Sequence, residues 1–334
     1  MAELRQRNRK RPRALERAPR TVLARRERKL IAILSRKPSL YSTRRLVEAA
    51  GERGHRAIVV DTMRCIMVLI PDAPKMIFRG VELRGIDVAI PRIGASITGY
   101  GMQVVNHLDM MGVAVLASSA AISRSRDKLR CLQLLSRSGL DIPRTVMAHD
   151  RSNVPRLVEE VGGLPAIIKL LRGTQGVGVM LASTMAEVEG ALQTFGQLGE
   201  EIFLQEFVRE SEGRDVRALV VGERVVGAMR RTAKKGEFRS NLHRGGEGTP
   251  IELPRAYAEA AVKAARVIGL QIAGVDMLES ATGPKIMEVN CSPGLRGLEQ
   301  ATRKDIAGWI VEHALSMCEA NRAHLLLTRA KPSP

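Results

Sequence analysis

Gly274-Val-Asp276-Met-Leu278, Ala281-Thr-Gly283 and Lys285-Ile-Met-Glu288-Val-Asn290 have the pattern of a β-hairpin. The first piece reads as an apolar strand, the second as a turn and the third as a return strand. Antiparallel pairing about Thr282 sets Asp276 opposite Glu288. Side chains alternate faces along a strand, so Glu288 and Asn290 share one face. Two carboxylates directly opposed across a sheet destabilise it unless something neutralises them. A hard divalent cation does so, and Mg²⁺ is commonly held by one or two carboxylates together with substrate phosphates. The competing reading is a solvated polar edge, which the apolar residues interleaved on both strands disfavour. The metal reading requires a phosphate-binding element elsewhere in the chain.

Ala166-Ile-Ile-Lys169-Leu-Leu171, Arg172-Gly173-Thr174-Gln175-Gly176 and Val177-Gly178-Val-Met-Leu-Ala182 supply a candidate. This glycine-rich loop joins strand to strand. It lacks the Gly-Lys-Ser/Thr of a Walker A loop and opens no helix. Successive backbone N–H groups in such a turn can still cradle an anion, and glycine lets phosphate oxygens approach the backbone. Lys169 on the entering strand supplies a compact charge. A plain hairpin turn is the alternative.

Toward the N-terminus, Leu30-Ile-Ala-Ile-Leu34 is short and apolar enough for a buried parallel strand. A helix to about Gly54 and the run Ala57–Asp61 complete a βαβ unit. Asp87–Pro91 and Val113–Leu116 read as further strands, with a helix from about Tyr100 to Met111 between them, so this part is an open α/β layer. No Gly-x-Gly-x-x-Gly follows the first strand, which makes a dinucleotide site a weak reading. A helix opens at Asp127-Lys128 and stops at Gly139, with Pro143 beyond. Residues 201–207, 215–221 and 225–229 read as strands, Pro254–Gly269 as a helix, and about Arg303–Ala320 as a C-terminal helix.

At 334 residues the chain suits two or three subdomains. The expected divisions are a basic disordered tail at 1–29, an α/β domain at 30–122, a small lid at 123–204, an antiparallel-sheet subdomain with the metal site at 205–320, and a flexible C-terminus at 321–334. No apolar run approaches a membrane span. Cys65, Cys131, Cys291 and Cys318 lack metal-ligand spacing and read as reduced thiols of a cytoplasmic protein. Half of the net charge of +18 falls in Met1–Lys29, which has twelve Lys/Arg and three Glu. That segment has too little apolar surface to fold alone. It reads either as a contact for nucleic acid or an acidic surface, or as an extension upstream of the fold. His243 and His313 lack partners at ligand spacing, and the few aromatics make no platform for bases.

These elements, in this order, resemble the ATP-grasp superfamily. Pro91-Arg92-Ile93-Gly94, Gly173–Gly176, Arg239-Ser240-Asn241-Leu242-His243-Arg244-Gly245-Gly246 and Glu288-Val-Asn-Cys-Ser-Pro-Gly294 resemble the RimK group more closely, over about Leu30 to Ala314. The resemblance implies an ATP-grasp fold with a pre-ATP-grasp domain, a lid and a C-terminal sheet. It implies a ligase that adds L-glutamate to the C-terminus of the sixth small-subunit ribosomal protein. In that chemistry a carboxylate attacks the γ-phosphate of ATP, and an amine displaces phosphate from the acyl phosphate. The protein positions groups and neutralises charge, so no nucleophilic Ser or Cys is needed.

The resemblance also implies roles. Lys169 meets the α/β-phosphates and Lys128 adds a second phosphate contact. Gly173, Thr174, Gln175, Gly176 and Gly178 close over the phosphates. Glu206 and Phe207 line the adenine edge, and Asp215 meets the ribose side. Arg239, Ser240 and Asn241 face phosphates and substrate, with Arg231 at the acyl phosphate. Asp276 and Glu288 hold one Mg²⁺ and Glu288 and Asn290 a second, Mn²⁺ being an alternative. A tetramer is implied as well. Two departures stand out: the basic tail, and Phe207 where Tyr is common. Two other functions stay open: a related ligase acting on a small-molecule cofactor or an amino-group carrier protein, and a non-catalytic nucleic-acid-binding protein. Intact Lys169, Asp276, Glu288 and Asn290 argue against the last.

Overall fold

A computed structural model describes residues 28–149, 153–171, 178–197, 201–234, 236–240 and 246–329, with side chains as far as 321. Seven strands build the first part: β1 Leu30–Leu34, β2 Arg56–Val60, β3 Cys65–Val68, β4 Lys75–Phe78, β5 Val81–Glu82, β6 Val88–Pro91 and β7 Ala114–Val115. Four of them form a parallel sheet in the order β2-β1-β6-β7. β1 is apolar throughout because both its faces are covered. Ile31 and Ile33 pack on the helix Tyr41–Glu52 through Leu46, Ala49 and Ala50, and on the C-terminal helix through Ile310, Val311 and Ala314. Ala32 and Leu34 face Val104, Val105 and Leu108 of the helix Thr98–Met110. The chain leaves β1 toward β2 on one side and returns to β6 on the other. A crevice therefore opens outside the carboxyl ends of β1 and β6.

β3, β4 and β5 form a small antiparallel sheet that the sequence reading does not anticipate. Its strands are short, and Ile66 and Val81 are exposed, so no hydrophobic alternation marks them.

The second sheet comprises β8 Thr145–Val146, β9 Ala166–Leu170, β10 Val179–Ala182 and β11 Ile202–Glu206, in the order β10-β9-β11-β8. β9 and β10 are antiparallel neighbours with Lys169 opposite Val179, so the glycine-rich loop does join strand to strand. The helices Val154–Glu160 and Met185–Gln197 cover this sheet, and its hydrophobic cluster is its own.

The third sheet is antiparallel, in the order β14-β13-β12-β15-β16, from β12 Arg214–Val221, β13 Arg224–Thr232, β14 Glu247–Pro250, β15 Ile272–Ser280 and β16 Gly283–Asn290. The helix Arg255–Ile268 lays Ala261, Ala264 and Ala265 against it, and it ends at Gly269 in the left-handed region, φ +86°. Alanine lets helix and sheet approach closely. Side chains of the first and third sheets share two continuous hydrophobic clusters. The second sheet stands apart from both, which suits a body that moves as a lid.

The expected hairpin forms with one difference. Asp276 pairs with Glu288 and Gly274 with Asn290, yet Met277 pairs with Ile286. Met287 is therefore a β-bulge, and the turn is only Ala281-Thr282. The bulge sets both Met287 and Glu288 against Asp276. Two other expectations shift. The C-terminal helix, expected over about Arg303–Ala320, runs from Ile306 to Arg329, because its Ala- and Leu-rich run has no helix breaker before Pro332. A short helix, Arg296–Thr302, precedes the C-terminal helix. Among the described residues no helix is long and apolar enough to cross a membrane.

Candidate active site

A cleft opens between the second and third sheets. Ile167 and Lys169 of β9, and Phe203, Gln205 and Glu206 of β11, line it from one side. Asp215, Arg231, Asp276, Leu278, Met287 and Glu288 line it from the other, and Lys128, Cys131 and Leu132 enter on a helix. That helix spans Lys128–Arg137 and is capped by Asp127, whose carboxylate accepts from the Arg130 backbone N–H at 2.9 Å. The cap fixes Lys128 at the first helical position, where its ammonium donates to the Leu170 carbonyl at 3.1 Å. The Lys169 ammonium donates to Gln205 Oε1 at 2.6 Å, and Gln205 Nε2 in turn donates to Thr145 Oγ1 at 2.9 Å.

Facing the lysines is a ladder of charge written into the sheet register. Arg217 lies opposite Asp276, Asp276 opposite Glu288, and Asp215 opposite Arg231. The Arg217 guanidinium grips Asp276 with two bonds, 2.6 and 2.5 Å. Arg231 grips Asp215 likewise, 2.5 and 2.7 Å, and lies 3.0 Å from Asp276 Oδ2. The Ser240 hydroxyl donates to Asp215. Burial alone would raise the Asp276 pKa, but Arg217 and Arg231 outweigh it and hold the carboxyl below the usual carboxylate range. Arg231 is raised above its ordinary value, since Asp276 and Asp215 overcome the cost of its burial. Glu288 differs: it makes no hydrogen bond or ion pair among the described residues.

Burial depresses Lys169 to about 8, aided by Lys128 and opposed by Glu288 and Asp276. Lys128 is lowered too, again by burial and against the pull of Glu288. Burial pushes the Cys131 thiol up to about 12, so the cysteine in the cleft stays protonated and is no nucleophile. Two partly buried ammonium groups, a Glu288 carboxylate with no hydrogen bond or ion pair among the described residues, and an apolar lining from Leu132, Ile167, Phe203, Leu278 and Met287 suit a polyanion that carries a flat ring.

The depressed Lys169 pKa has a measurable consequence. Between pH 8 and its ordinary 10.5 the free protein leaves Lys169 largely neutral. Phosphates beside it would restore its charge, so binding takes up a proton and affinity falls as pH rises through that window. Calorimetry of ATP binding at pH 8.5, in buffers of different ionisation enthalpy, should show uptake of up to about one proton. Uptake should fade below pH 7 and shrink in Lys169→Met. Equal uptake in wild type and variant would remove Lys169 from the phosphate site.

Two family models match the chain: the RimK PreATP-grasp domain over residues 30–122 and the RimK-like ATP-grasp domain over residues 125–314. The chain belongs to the RimK family of ATP-grasp enzymes. It is therefore an ATP-dependent ligase that forms carbon–nitrogen bonds. A protein of Azotobacter vinelandii named probable alpha-L-glutamate ligase is 51% identical over 302 residues, which is 90% of this chain and 99% of that protein. One of the same name from Pseudomonas aeruginosa is 52% identical over the same shares. The RimK domain ATP-grasp protein of Sphaerobacter thermophilus has the same fold, with a TM-score of 0.65 at 22% identity, covering 85% of this chain and 99% of that one.

Within this ATP-grasp cleft the structure brings together Lys128, Lys169, Glu206, Phe207, Asp215, Arg231, Arg239, Ser240, Asp276 and Glu288. Asn290 lies at the edge, and its amide donates to Asp276 Oδ2 at 3.4 Å. Glu206 is anchored by the Arg144 backbone N–H at 3.0 Å and by Lys285 at 3.3 Å. Arg239 pairs with Glu237 at 2.7 Å. Gly178 has φ +73°, and a Cβ there would strike the Leu170 side chain. Gly173, Thr174, Gln175, Gly176 and Asn241 lie outside the described residues. Arg231, expected at an acyl phosphate, is only 2% exposed and committed to two carboxylates. Arg217 is the residue that sequence reading missed. Its place opposite Asp276, 59 residues away in sequence, comes from the pairing of β12 with β15, which leaves no local signal.

Proposed function

We propose that the protein joins L-glutamate to the C-terminal carboxylate of a protein acceptor through an acyl phosphate, and that the acceptor is the sixth small-subunit ribosomal protein. The observation that carries the glutamate assignment is the 51% identity, over 99% of its length, with a relative named probable alpha-L-glutamate ligase. The motif from Arg239 to Gly246 and the net charge of +18 support an acidic protein acceptor, since complementary charge speeds encounter.

Lys128 and Lys169 neutralise the triphosphate, and Glu206 and Phe207 hold the base. Leu132, Ile167 and Met287 keep water from its ring. An acceptor carboxylate oxygen attacks the γ-phosphorus and ADP departs. The amine then attacks the acyl carbon, and the carbon–oxygen bond to phosphate breaks. Mg²⁺ suits the residues present: the Glu288 carboxylate is unengaged, and the Asn290 amide oxygen accepts no hydrogen bond among the described residues. Asp276 and Glu288 would hold one ion and Glu288 and Asn290 a second. When bound, the ions supply charge neutralisation of the transferring phosphoryl group.

Phosphate release with each amino acid in turn, alongside the intact mass of the ribosomal acceptor, tests the reading. L-glutamate alone should drive release, and the acceptor should gain masses spaced by one glutamyl residue. Release driven by another amino acid, or an unmodified acceptor, overturns it. The same assay on ribosomes, with and without the segment before Lys29, tests a salt-sensitive contact through the basic tail.

A further inference from the structure

Arg92 and Arg126 are cationic groups near the reaction centre to which the phosphate and metal assignments give no task. Arg92 follows β6 at the carboxyl end of the parallel sheet, and its backbone N–H continues the ladder to Leu34 O at 2.9 Å. It therefore stands at the crevice where the strand order reverses, the place where open α/β sheets bind ligands. Its guanidinium reaches across to the third sheet's side and donates to the Pro293 carbonyl at 2.5 Å. Pro293 lies three residues beyond Asn290. Arg126 ends the helix Ser119–Arg126, and its Nη2 donates to the Ile93 carbonyl at 2.5 Å. Neighbouring Ser125 bonds the same loop: its hydroxyl donates to Val289 O at 2.7 Å and accepts from the Cys291 N–H at 3.1 Å.

Neither arginine forms an ion pair among the described residues, whereas Arg217, Arg231 and Arg239 each grip a carboxylate with paired bonds. Arg126 Nε is buried and has no acceptor among the described residues. The two guanidiniums also feel each other: burial and Arg126 lower Arg92 to about 10. Two like charges on rigid elements, one held in a buried environment and the other with a buried Nε lacking an acceptor among the described residues, call for an anion between them. A guanidinium fork matches a carboxylate in plane and spacing. ATP already has Lys128 and Lys169. L-glutamate brings two carboxylates that do not react and that need cationic partners.

We propose that Arg92 and Arg126 form the subsite for the non-reacting carboxylates of the incoming dicarboxylic amino acid, at the switch point of the first sheet. This rests on the glutamate-ligase reading. It explains why the first sheet packs against the loop that follows the metal-binding strand: that contact completes the amino-acid site.

The test uses the full chain. Arg92→Gln and Arg126→Gln should each raise KM for L-glutamate by about 10- to 100-fold, the loss of one charge-assisted contact. KM for ATP should stay within about twofold, and Arg92→Lys should recover part of the loss. Glutarate, which has both carboxylates and no amine, should compete with L-glutamate but not with ATP, and lose affinity by the same factor in the variants. An unchanged KM for L-glutamate overturns the subsite. So does a loss confined to kcat or shared with KM for ATP, which would make Arg92 a mere brace for the Pro293 loop. If Arg92→Gln does not fold, Arg126→Gln and Arg92→Lys decide. Glutarate binding measured by calorimetry is independent of turnover. A wild type that binds glutarate through these arginines but shows no glutamate-dependent turnover sinks the ligase reading and spares the subsite.

Discussion

Glu288→Gln should lower turnover by at least about a thousandfold, roughly 4 kcal/mol of barrier, while the protein melts within a few degrees of wild type. The two halves of this expectation have separate causes. Glu288 makes no hydrogen bond or ion pair among the described residues, so the fold loses nothing by its neutralisation. It sits in register with Asp276, whose charge Arg217 and Arg231 already neutralise, so the substitution leaves no buried partner unpaired. Yet it is the one residue assigned to both ions. Nucleotide binding should therefore lose its dependence on Mg²⁺, which calorimetry with and without the ion reads apart from activity. Activity within about tenfold of wild type, or an unchanged Mg²⁺ dependence, would remove the two-ion assignment.

Arg231→Met should have the opposite signature, a loss of stability of about 3–5 kcal/mol. The Arg231 side chain is 2% exposed and lies between Asp215 and Asp276, whose side chains are 5% and 2% exposed. Methionine fills much of the space and leaves two buried carboxylates short of one cation. Arg217 still holds Asp276, but Asp215 keeps only the Ser240 hydroxyl. Breaking a buried pair by deleting one partner costs far more than the pair's net worth, because the remaining charge has lost its solvation. Denaturant unfolding reads the difference directly. A loss under about 1 kcal/mol, the worth of a surface pair, would contradict a structural role for Arg231 between the two carboxylates.

The contrast between these two residues shows what a sequence can and cannot disclose. The hairpin was legible because strand period and a short turn fix which residues oppose each other. The reading placed Asp276 across from Glu288 and missed the bulge at Met287 and with it the shorter turn, since one extra residue in a strand leaves no mark in composition. Lys169 was legible from its place one loop before the glycines. Asp276 is already neutralised by Arg217 and Arg231, which come from strands some 45 to 60 residues earlier, and no local pattern announces a pairing over that separation. The arginines at the first sheet's switch point were hidden for the same reason. Pro91-Arg92-Ile93-Gly94 reads as a motif, but its closeness to Pro293 is a fact of tertiary packing. Short exposed strands such as β3 to β5 carry no periodic signal at all.

Activation of a carboxylate by ATP in this cleft leaves an isotopic trace. Acceptor whose terminal carboxylate carries ¹⁸O in both oxygens should be incubated with unlabelled ATP and Mg²⁺ in unlabelled water, with L-glutamate labelled likewise in its carboxylates so that every later addition also activates a labelled carboxylate, and the released phosphate analysed by mass. If the carboxylate attacks the γ-phosphorus and the amine then displaces phosphate from the acyl carbon, one labelled oxygen leaves with each phosphate and one remains in the new amide. The account predicts a single ¹⁸O per phosphate, matched to the glutamyl residues added. Phosphate without label would show that ATP is cleaved by water or at another bond, and would contradict the account.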